Sequence, residues 1–206
     1  MIFEKANIIF FHPGKTGGSS ILHELKDLHL PKNFSLNPKE ENFNIMYGWS
    51  QKYKIYLQHA DLFFYNKIGI DFKKYNTIVS IRRPYERILS AFYYNNLSEK
   101  YIFEDFIKNY LKKIGIENFF AKGHSINHFC PQISYFTDKN YQVSNIVKLE
   151  NFQNDCKKIG LIGKYHYSKT KCSNIFKDYM DAYDQKTKDI VYNLYKEEFL
   201  LFDYKK

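Results

Sequence analysis

The stretch NIIFFHPGKTGGSSI, Asn7–Ile21, decides the fold prediction because it joins a short apolar run to a glycine-rich turn and then to a helical pattern. The run Asn7–Phe11 ends in a Pro-Gly turn and predicts a buried parallel strand. Apolar residues then recur at helical spacing from Ile21 onward, and Ser19 or Ser20 is expected to cap the start of that helix. The stretch therefore predicts a strand, a loop and a helix.

The loop between this strand and helix predicts an anion site. A loop that enters a helix offers unpaired main-chain N–H groups at the positive end of the helix dipole, and these bind phosphate or sulfate. Gly17 and Gly18 permit a close approach of the main chain to the anion, and Lys15 adds a mobile positive charge.

A second junction of the same kind lies in NTIVSIRRPYERILSAFYYNN. Thr77–Ile81 predicts a strand, and Pro84 suits the first turn of the helix that follows. Five further elements are predicted: a strand Lys54–Phe64 that leads into a turn, a strand in NIVKLENF, a helix that opens near Asn151, and helices at Phe103–Ile114 and Gln185–Phe199. Residues 30–52 are irregular and predict a long loop or lid beside a site.

Alternating strands and helices predict an α/β fold with a mainly parallel central sheet flanked by helices. The chain of 206 residues is long enough for one such domain, so a single domain 1–206 is predicted. Aromatic residues make up 19% of the sequence, which argues against disorder.

The charge and the cysteines narrow the class of protein. Lys and Arg number 31 against 22 acidic residues, a net charge of +9 that favours anionic partners or simply reflects a solvated lysine surface. Cys130, Cys156 and Cys172 are widely spaced, which suggests neither a disulfide framework nor a zinc site. The sequence shows no convincing signal peptide or membrane span, so a cytoplasmic location is expected.

The loop FFHPGKTGGSSI resembles the 5′-phosphosulfate loop of sulfotransferases that use 3′-phosphoadenosine 5′-phosphosulfate (PAPS), in particular the membrane-associated carbohydrate group of the heparan and chondroitin type. The usual form of that loop is His-Ile-Pro-Lys-Thr-Gly-Gly-Thr-Ser. This chain departs from it at Pro13 and Gly14, which stand in place of Ile-Pro, and Ser19 replaces a threonine. The resemblance implies a P-loop-like three-layer sandwich and a PAPS site.

The segment SIRRPYERILSAFYY is similar to the 3′-phosphate motif of the same family, so the resemblance implies that Arg82 and Ser90 bind the 3′-phosphate. Arg83 departs from the usual Asn or Asp. The segments NHFCPQISYF, VKLENFQNDCKKIG and YNLYKEEFLLFDY resemble later parts of the family loosely. The residues expected to bind the donor are therefore Lys15, Thr16, Gly17, Gly18, Ser19, Ser20, Arg82 and Ser90.

Sulfuryl transfer also needs a base for the acceptor hydroxyl, and histidine is the natural proton acceptor near neutral pH. The chain has seven histidines: His12, His23, His29, His59, His124, His128 and His166. His59 lies where carbohydrate members of the family place their base, so the resemblance implies His59 as the base and Lys15 as the group that neutralises the bridging oxygen. His12 is expected to brace the loop, and His128 is the weaker candidate for the base. No metal is expected, because lysine and main-chain amides supply the positive charge.

Two other functions stay open at this point. One is a P-loop kinase or NTPase that binds Mg-ATP on Gly14–Thr16, with Glu150 near its metal, although the pattern GxxxxGK[ST] requires a glycine where Ile9 stands. The other is a basic module that binds nucleic acid or an anionic glycan without chemistry. The expected acceptor is a carbohydrate hydroxyl, but tyrosine, small alcohols and amines stay possible, and Tyr47 and Trp49 are candidates to stack on a sugar or on adenine. No nucleic-acid partner is expected, and the sequence does not indicate an oligomeric state.

Overall fold

The computed structural model describes residues 1–113, 128–137, 142–165 and 178–206. Contacts divide the chain into two compact units. The first, here called the sheet unit, comprises Met1–Ile81 with Ser134–Tyr167, and the second, the helical unit, comprises Arg82–Ile133 with Ser168–Lys206. The expected single domain 1–206 stays a prediction.

The described strands all belong to the sheet unit: β1 (Ile2–Phe3), β2 (Ile8–Phe11), β3 (Trp49–Ser50), β4 (Ile55–Tyr56), β5 (Asn76–Ile81) and β6 (Asn145–Lys148). Its described α-helices are α1 (Gly18–His29), α2 (Leu62–Lys67) and the helix Phe152–Lys158. The helical unit contains α3 (Pro84–Tyr94), α4 (Phe103–Asn109), and the helices Gln185–Leu194 and Lys196–Leu201. In chain order, Phe152–Lys158 is α5, Gln185–Leu194 is α6 and Lys196–Leu201 is α7.

The central sheet has the strand order β1-β2-β5-β6, with β2, β5 and β6 parallel and β1 antiparallel at the edge. Phe11 pairs with Val79, and Val79 pairs in turn with Ile146. The central strands are apolar and buried, as expected for parallel strands covered on both faces. These observations confirm the prediction of an α/β fold with a mainly parallel sheet.

The register fixes where the anion-binding candidates leave the sheet. Because β2 and β5 are parallel neighbours, their carboxyl ends at Phe11 and Ile81 lie at the same edge of the sheet. The chain continues from the first end into the lysine loop and from the second into Arg82. Ligands of parallel α/β sheets bind beyond this edge.

The prediction of a long strand at Lys54–Phe64 is wrong. Only Ile55–Tyr56 is a strand, and it pairs with Trp49–Ser50 in a separate two-stranded sheet. The chain then forms a 3₁₀ turn, Leu57–His59, and enters α2, where the Asp61 carboxylate caps the helix by accepting the Phe64 N–H at 2.8 Å. This segment therefore forms a hairpin strand, a 3₁₀ turn and the start of a helix rather than a strand of the central sheet.

The helical unit is built on a core of aromatic rings. Pro84 occupies the first turn of α3, as predicted, and Ile88, Leu89 and Phe92 of that helix are buried. The Phe92 ring meets the Phe103 ring edge to face at 5.1 Å, a favoured geometry for such pairs. The predicted helix Gln185–Phe199 is interrupted at Tyr195, which separates α6 from α7. The predicted helix Phe103–Ile114 is interrupted at Tyr110, residues 111–113 are again helical, and its predicted end at Ile114 lies outside the described residues.

Across the four described ranges, no helix combines the length and the apolar character that crossing a bilayer requires. Residues 114–127, 138–141 and 166–177 lie outside the description, and they include Cys172, His124 and His166.

Candidate functional site

The lysine loop of the sheet unit, residues 12–18, has a backbone of alternating handedness. Lys15 has φ 66° and Gly17 has φ 77°, both in the left-handed region, whereas Thr16 between them does not have a positive φ. Such alternation turns successive main-chain N–H groups toward one side and forms an anion-binding concavity. A left-handed conformation is uncommon for a residue with a side chain such as lysine, and it is typical of functional loops.

Gly17 and Gly18 of the loop both have close neighbours. A Cβ added to Gly17 would lie 2.4 Å from Leu149 Cδ1, and one added to Gly18 would lie 2.1 Å from His12 Cδ2. The His12 ring is buried and stacks on the Phe10 ring at 5.6 Å, so it has little room to move. His12 therefore packs directly against the first residue of α1, consistent with the expected bracing role.

The expected serine cap of α1 is wrong. The helix begins at Gly18 with Gly17 at the N-cap position, and Gly17 has no side chain with which to cap it. Ser19 is exposed, and the Ser20 N–H donates to Gly17 O at 3.0 Å. The amides that precede Ser20 are consequently the better candidates to meet an anion.

The Thr16 side chain faces the sheet. It is fully buried, its hydroxyl donates to Pro13 O at 2.7 Å, and its Oγ1 lies 2.7 Å from Ser80 Oγ. Because the Thr16 hydrogen is used by Pro13 O, Ser80 is the donor of the second bond. Thr16 therefore fastens the loop to β5, and it can meet an anion only through its main chain. Ser80 was not singled out from the sequence, where a serine within an apolar strand gives no signal of such a contact.

His59 lies beside the lysine loop. Its Nδ1 is 2.7 Å from the main-chain oxygen of His12, and the two imidazole rings are 4.8 Å apart. A carbonyl oxygen only accepts, so Nδ1 carries the hydrogen and Nε2 of neutral His59 carries the lone pair. The predicted base is thus attached to the predicted donor loop, with its basic nitrogen identified.

Of the two aromatic candidates, Trp49 has an aromatic partner outside the lid segment. The Trp49 ring packs against the Tyr56 ring with centroids 4.9 Å apart, across the β3-β4 pair. Tyr56 is three residues before His59 in the chain. Burial raises the pKa of Tyr47, which keeps that phenol protonated at neutral pH.

In the helical unit, Arg82 is held on several sides. Its guanidinium is 3.4 Å from the Glu86 carboxylate and lies over the Tyr179 ring at 5.0 Å. Glu86 also accepts from Arg83 at 2.8 Å. Arg82 and Arg83 therefore share one carboxylate, so this corner keeps a net positive charge for an anion.

Ser90 and Arg87 are both buried on α3. Ser90 Oγ makes no hydrogen bond with any residue that the structure describes. The Arg87 guanidinium donates to His128 O at 2.7 Å and lies 3.8 Å from Glu198 Oε1. A buried hydroxyl that lacks a partner is costly and indicates a ligand or water. Arg87 is satisfied only in part, because its Nε and Nη2 make no hydrogen bond among the described residues and its charge is met by Glu198.

Gln132 and Glu198 complete this part of the helical unit. Gln132 makes two hydrogen bonds with the main chain of Arg82, and Glu198 accepts from both the main-chain and side-chain N–H groups of Gln132. Burial raises the pKa of Glu198, and the charge of Arg87 and the bonds from Gln132 oppose that rise. The sequence pointed to these residues only through loosely similar segments.

Among the described residues, no group of three or more His, Cys, Asp or Glu side chains is arranged to hold a metal ion.

A family model described as "Sulfotransferase family" matches residues 1–205. The comparison with curated proteins gives no match. The comparison with solved structures gives none either.

Proposed function

Because the chain belongs to the sulfotransferase family, we propose that it transfers a sulfuryl group from PAPS to a hydroxyl group of a carbohydrate or glycoconjugate. The observation that carries the proposal is the lysine loop. It follows a parallel strand, precedes a helix whose N-cap residue has no side chain, and combines positive φ at Lys15 and Gly17. Backbone N–H groups in such a loop suit a group with oxygen on every side, such as a phosphosulfate.

In this proposal the lysine loop binds the 5′-phosphosulfate. The main-chain N–H groups from Thr16 onward, including those of Gly17, Gly18 and Ser19, hold the oxygens of the phosphate and the sulfuryl group. Lys15 neutralises the bridging oxygen as the S–O bond breaks, because charge develops on that oxygen in the transition state. The Ser20 N–H has a smaller part, since Gly17 O already accepts it.

Arg82 and Ser90 are proposed to bind the 3′-phosphate. The guanidinium of Arg82 matches the geometry of phosphate oxygens. Ser90 Oγ is buried and has no partner in the described part of the chain, and a phosphate oxygen would supply the acceptor that it lacks. Arg82 and Arg83 carry two positive charges against the single negative charge of Glu86, so this site attracts anions.

His59 is proposed as the base that accepts the proton of the acceptor hydroxyl. The bond from its Nδ1 to His12 O fixes the ring and leaves Nε2 as the proton acceptor. As the acceptor oxygen attacks sulfur, the proton passes to Nε2 and the bisphosphate leaves. The neighbouring Trp49–Tyr56 pair supports a sugar as the acceptor, since aromatic faces suit the apolar side of a sugar ring.

The Mg-ATP alternative is weakened by the Thr16 hydroxyl. In a P-loop the Ser or Thr that follows the lysine places its hydroxyl on Mg²⁺. Here the Thr16 hydroxyl is buried between Pro13 O and Ser80 Oγ. The finer fold assignment, a P-loop-like three-layer sandwich, stays a prediction, and so does a cytoplasmic location.

Thermal shift with two ligands tests the donor class. A ligand present at 100 times its dissociation constant stabilises a protein by about 2.7 kcal/mol. We expect adenosine 3′,5′-bisphosphate to raise the melting temperature and Mg-ATP to leave it nearly unchanged. Lys15→Ala should abolish the shift, while Lys39→Ala, which removes an exposed lysine of the same charge, should retain it. Stabilisation by Mg-ATP alone would contradict the proposal.

Transfer of labelled sulfate from PAPS to a panel of glycans tests the reaction and the base. His59→Asn removes Nε2 yet keeps an N–H group near the position of Nδ1, so the bond to His12 O is expected to survive. This variant should bind adenosine 3′,5′-bisphosphate like the wild type but lose turnover by about two orders of magnitude or more, the usual contribution of a general base. Full turnover in His59→Asn would remove His59 from that role.

A further inference from the structure

Gln132 holds the peptide groups on both sides of Arg82. Its Oε1 accepts the Arg82 N–H at 2.7 Å, and its Nε2 donates to Arg82 O at 2.9 Å. Gln132 is fully buried. Arg82 is the first residue after β5, and a neighbouring strand no longer supplies partners for its main-chain N–H and C=O. The Gln132 amide bonds both of these groups in place of a strand. The main chain of Arg82 is therefore fixed by a residue 50 positions away.

Glu198 determines which way the Gln132 amide faces. Glu198 Oε2 accepts from Gln132 Nε2 at 2.6 Å, and Oε1 accepts the main-chain N–H of Gln132. The two hydrogens on Nε2 are thus divided between Arg82 O and Glu198. If the amide flipped, its oxygen would face the carboxylate, so a single orientation is allowed.

Arg87 completes the chain of contacts. Its guanidinium is 3.8 Å from Glu198 Oε1 and is fully buried, as is Glu198. Burying such a pair is costly, and apolar residues of similar volume often stabilise a fold equally well or better. We therefore expect these three buried polar residues to serve more than stability: the ion pair restricts Glu198, and the hydrogen bonds between Gln132 and Glu198 restrict the amide that contacts Arg82.

We propose that Gln132, Glu198 and Arg87 are positioning residues that fix the main chain of Arg82 and so present its guanidinium to the 3′-phosphate of the donor. This inference rests on the proposed function and extends it, because none of the three residues touches the donor. Glu86 and Tyr179 hold the guanidinium itself, whereas the three positioning residues hold the backbone from which it extends.

The test compares two ligands that differ only at the 3′ position, adenosine 3′,5′-bisphosphate and adenosine 5′-monophosphate. The ratio of their dissociation constants, measured by calorimetry on the full chain, reports the contribution of the 3′-phosphate alone. We expect the wild type to prefer the bisphosphate, and Arg82→Ala to lower that preference by about tenfold or more, as loss of a charge-assisted contact implies. Gln132→Met, which removes the amide at nearly constant volume, should lower it by a similar factor.

Two controls separate positioning from a loss of stability. Ile107→Val trims the buried core of the helical unit away from these contacts and should leave the ratio unchanged. Glu198→Gln keeps the shape and one acceptor oxygen, so Gln132 retains one of its two hydrogen bonds to residue 198 and the ratio should fall by a smaller factor. In the Arg82→Ala background, Gln132→Met should have no further effect on the ratio.

Each contrary result has a distinct meaning. If the wild type shows no preference for the bisphosphate, the proposed function fails and the positioning role fails with it. If Arg82→Ala removes the preference while Gln132→Met and Glu198→Gln retain it, the donor site stands and the positioning role is refuted. A further loss from Gln132→Met in the Arg82→Ala background would also refute it, because Gln132 would then act through another residue.

Discussion

Replacing Gly18 with alanine tests the packing of the lysine loop directly. The new Cβ would lie 2.1 Å from His12 Cδ2 and 2.5 Å from His12 Nε2, whereas ordinary contacts begin at 3.4 Å. The ring must therefore move by about an ångström, although the stack on Phe10 and the neighbouring His59 ring limit its movement. Overpacking of this kind costs about 1–3 kcal/mol.

The intrinsic preference of alanine for helices works in the opposite direction. That gain is at most about 1 kcal/mol within a helix and smaller in the first turn, so Gly18→Ala should be destabilising by about 1–2 kcal/mol overall. For a chain of this size, 1 kcal/mol corresponds to about 2–4 °C in melting temperature. The expected decrease is therefore roughly 2–8 °C by calorimetry, with weaker binding of adenosine 3′,5′-bisphosphate because the loop amides shift.

A double-mutant cycle identifies the clashing group. His12→Ala alone loses the ring's contacts, but combined with Gly18→Ala it leaves space for the new methyl group, so the double variant should be more stable than the sum of the two single effects predicts. Ser19→Ala, at the exposed next position, is the matched control and should change the melting temperature little. A Gly18→Ala variant as stable as the wild type, or two costs that simply add, would contradict a clash between this methyl group and His12.

Three further predictions concern other residues. Ser80→Ala should lower the free energy of unfolding by about 1 kcal/mol, measured by calorimetry, because Thr16 Oγ1 loses the hydrogen bond that Ser80 donates. Ser90→Ala should leave the melting temperature unchanged and weaken only 3′-phosphate binding, because Ser90 Oγ has no hydrogen bond among the described residues. Equal losses of stability in the two variants would contradict this. Burial opposes the ionisation of Asp155, but hydrogen bonds from Lys158, the Lys148 N–H and Asn151 outweigh it and lower the pKa of this carboxyl group. The ionised group therefore stabilises the fold above the ordinary carboxyl pKa, and this stabilisation is lost as pH falls through the lowered pKa. The difference in melting temperature between the wild type and Asp155→Asn should shrink over that range. Burial raises the pKa of Cys156 to about 12, so iodoacetamide at pH 8 should label this thiol at least about a hundredfold more slowly in the folded protein than in guanidinium, as read by peptide mass spectrometry; rapid labelling would show that the thiol is accessible.

The sequence predicted the parts of the fold that local pattern determines. The apolar runs ending at Phe11 and Ile81 are buried parallel strands, and Pro84 begins a helix as its fixed φ favours. The order of strand, loop and helix around Lys15 followed from the same reasoning. Local pattern thus predicted the anion loop that contains Lys15, whereas the roles of Arg82, Ser90 and His59 came from the family resemblance and stay predictions.

The errors came from signals that compete within a few residues. In Lys54–Phe64 the apolar residues predicted a strand, whereas Asp61 is the N-cap residue of α2. At the start of α1 the two serines predicted a side-chain cap, whereas Gly17, a glycine with positive φ, is the N-cap residue. Pattern alone cannot say which sheet a short apolar run joins, because strand pairing is decided by distant residues.

The contacts around Arg82 could not be predicted from the sequence. Gln132 and Glu198 are 66 positions apart, and neither stands out by spacing or composition. Their significance depends on which atoms face each other after folding. The same holds for Ser80 and Thr16, which are 64 positions apart.

His59 Nδ1 donates its hydrogen bond to the main-chain oxygen of residue 12, and every amino acid at that position has this oxygen. Evolutionary change of the side chain at position 12 therefore leaves the hydrogen bond to the proposed base intact and is limited by the fit against Gly18, Phe10 and the His59 ring. In diverged relatives, we expect the histidine at position 12 to drift to other ring-bearing or flat side chains while the imidazole at position 59 persists.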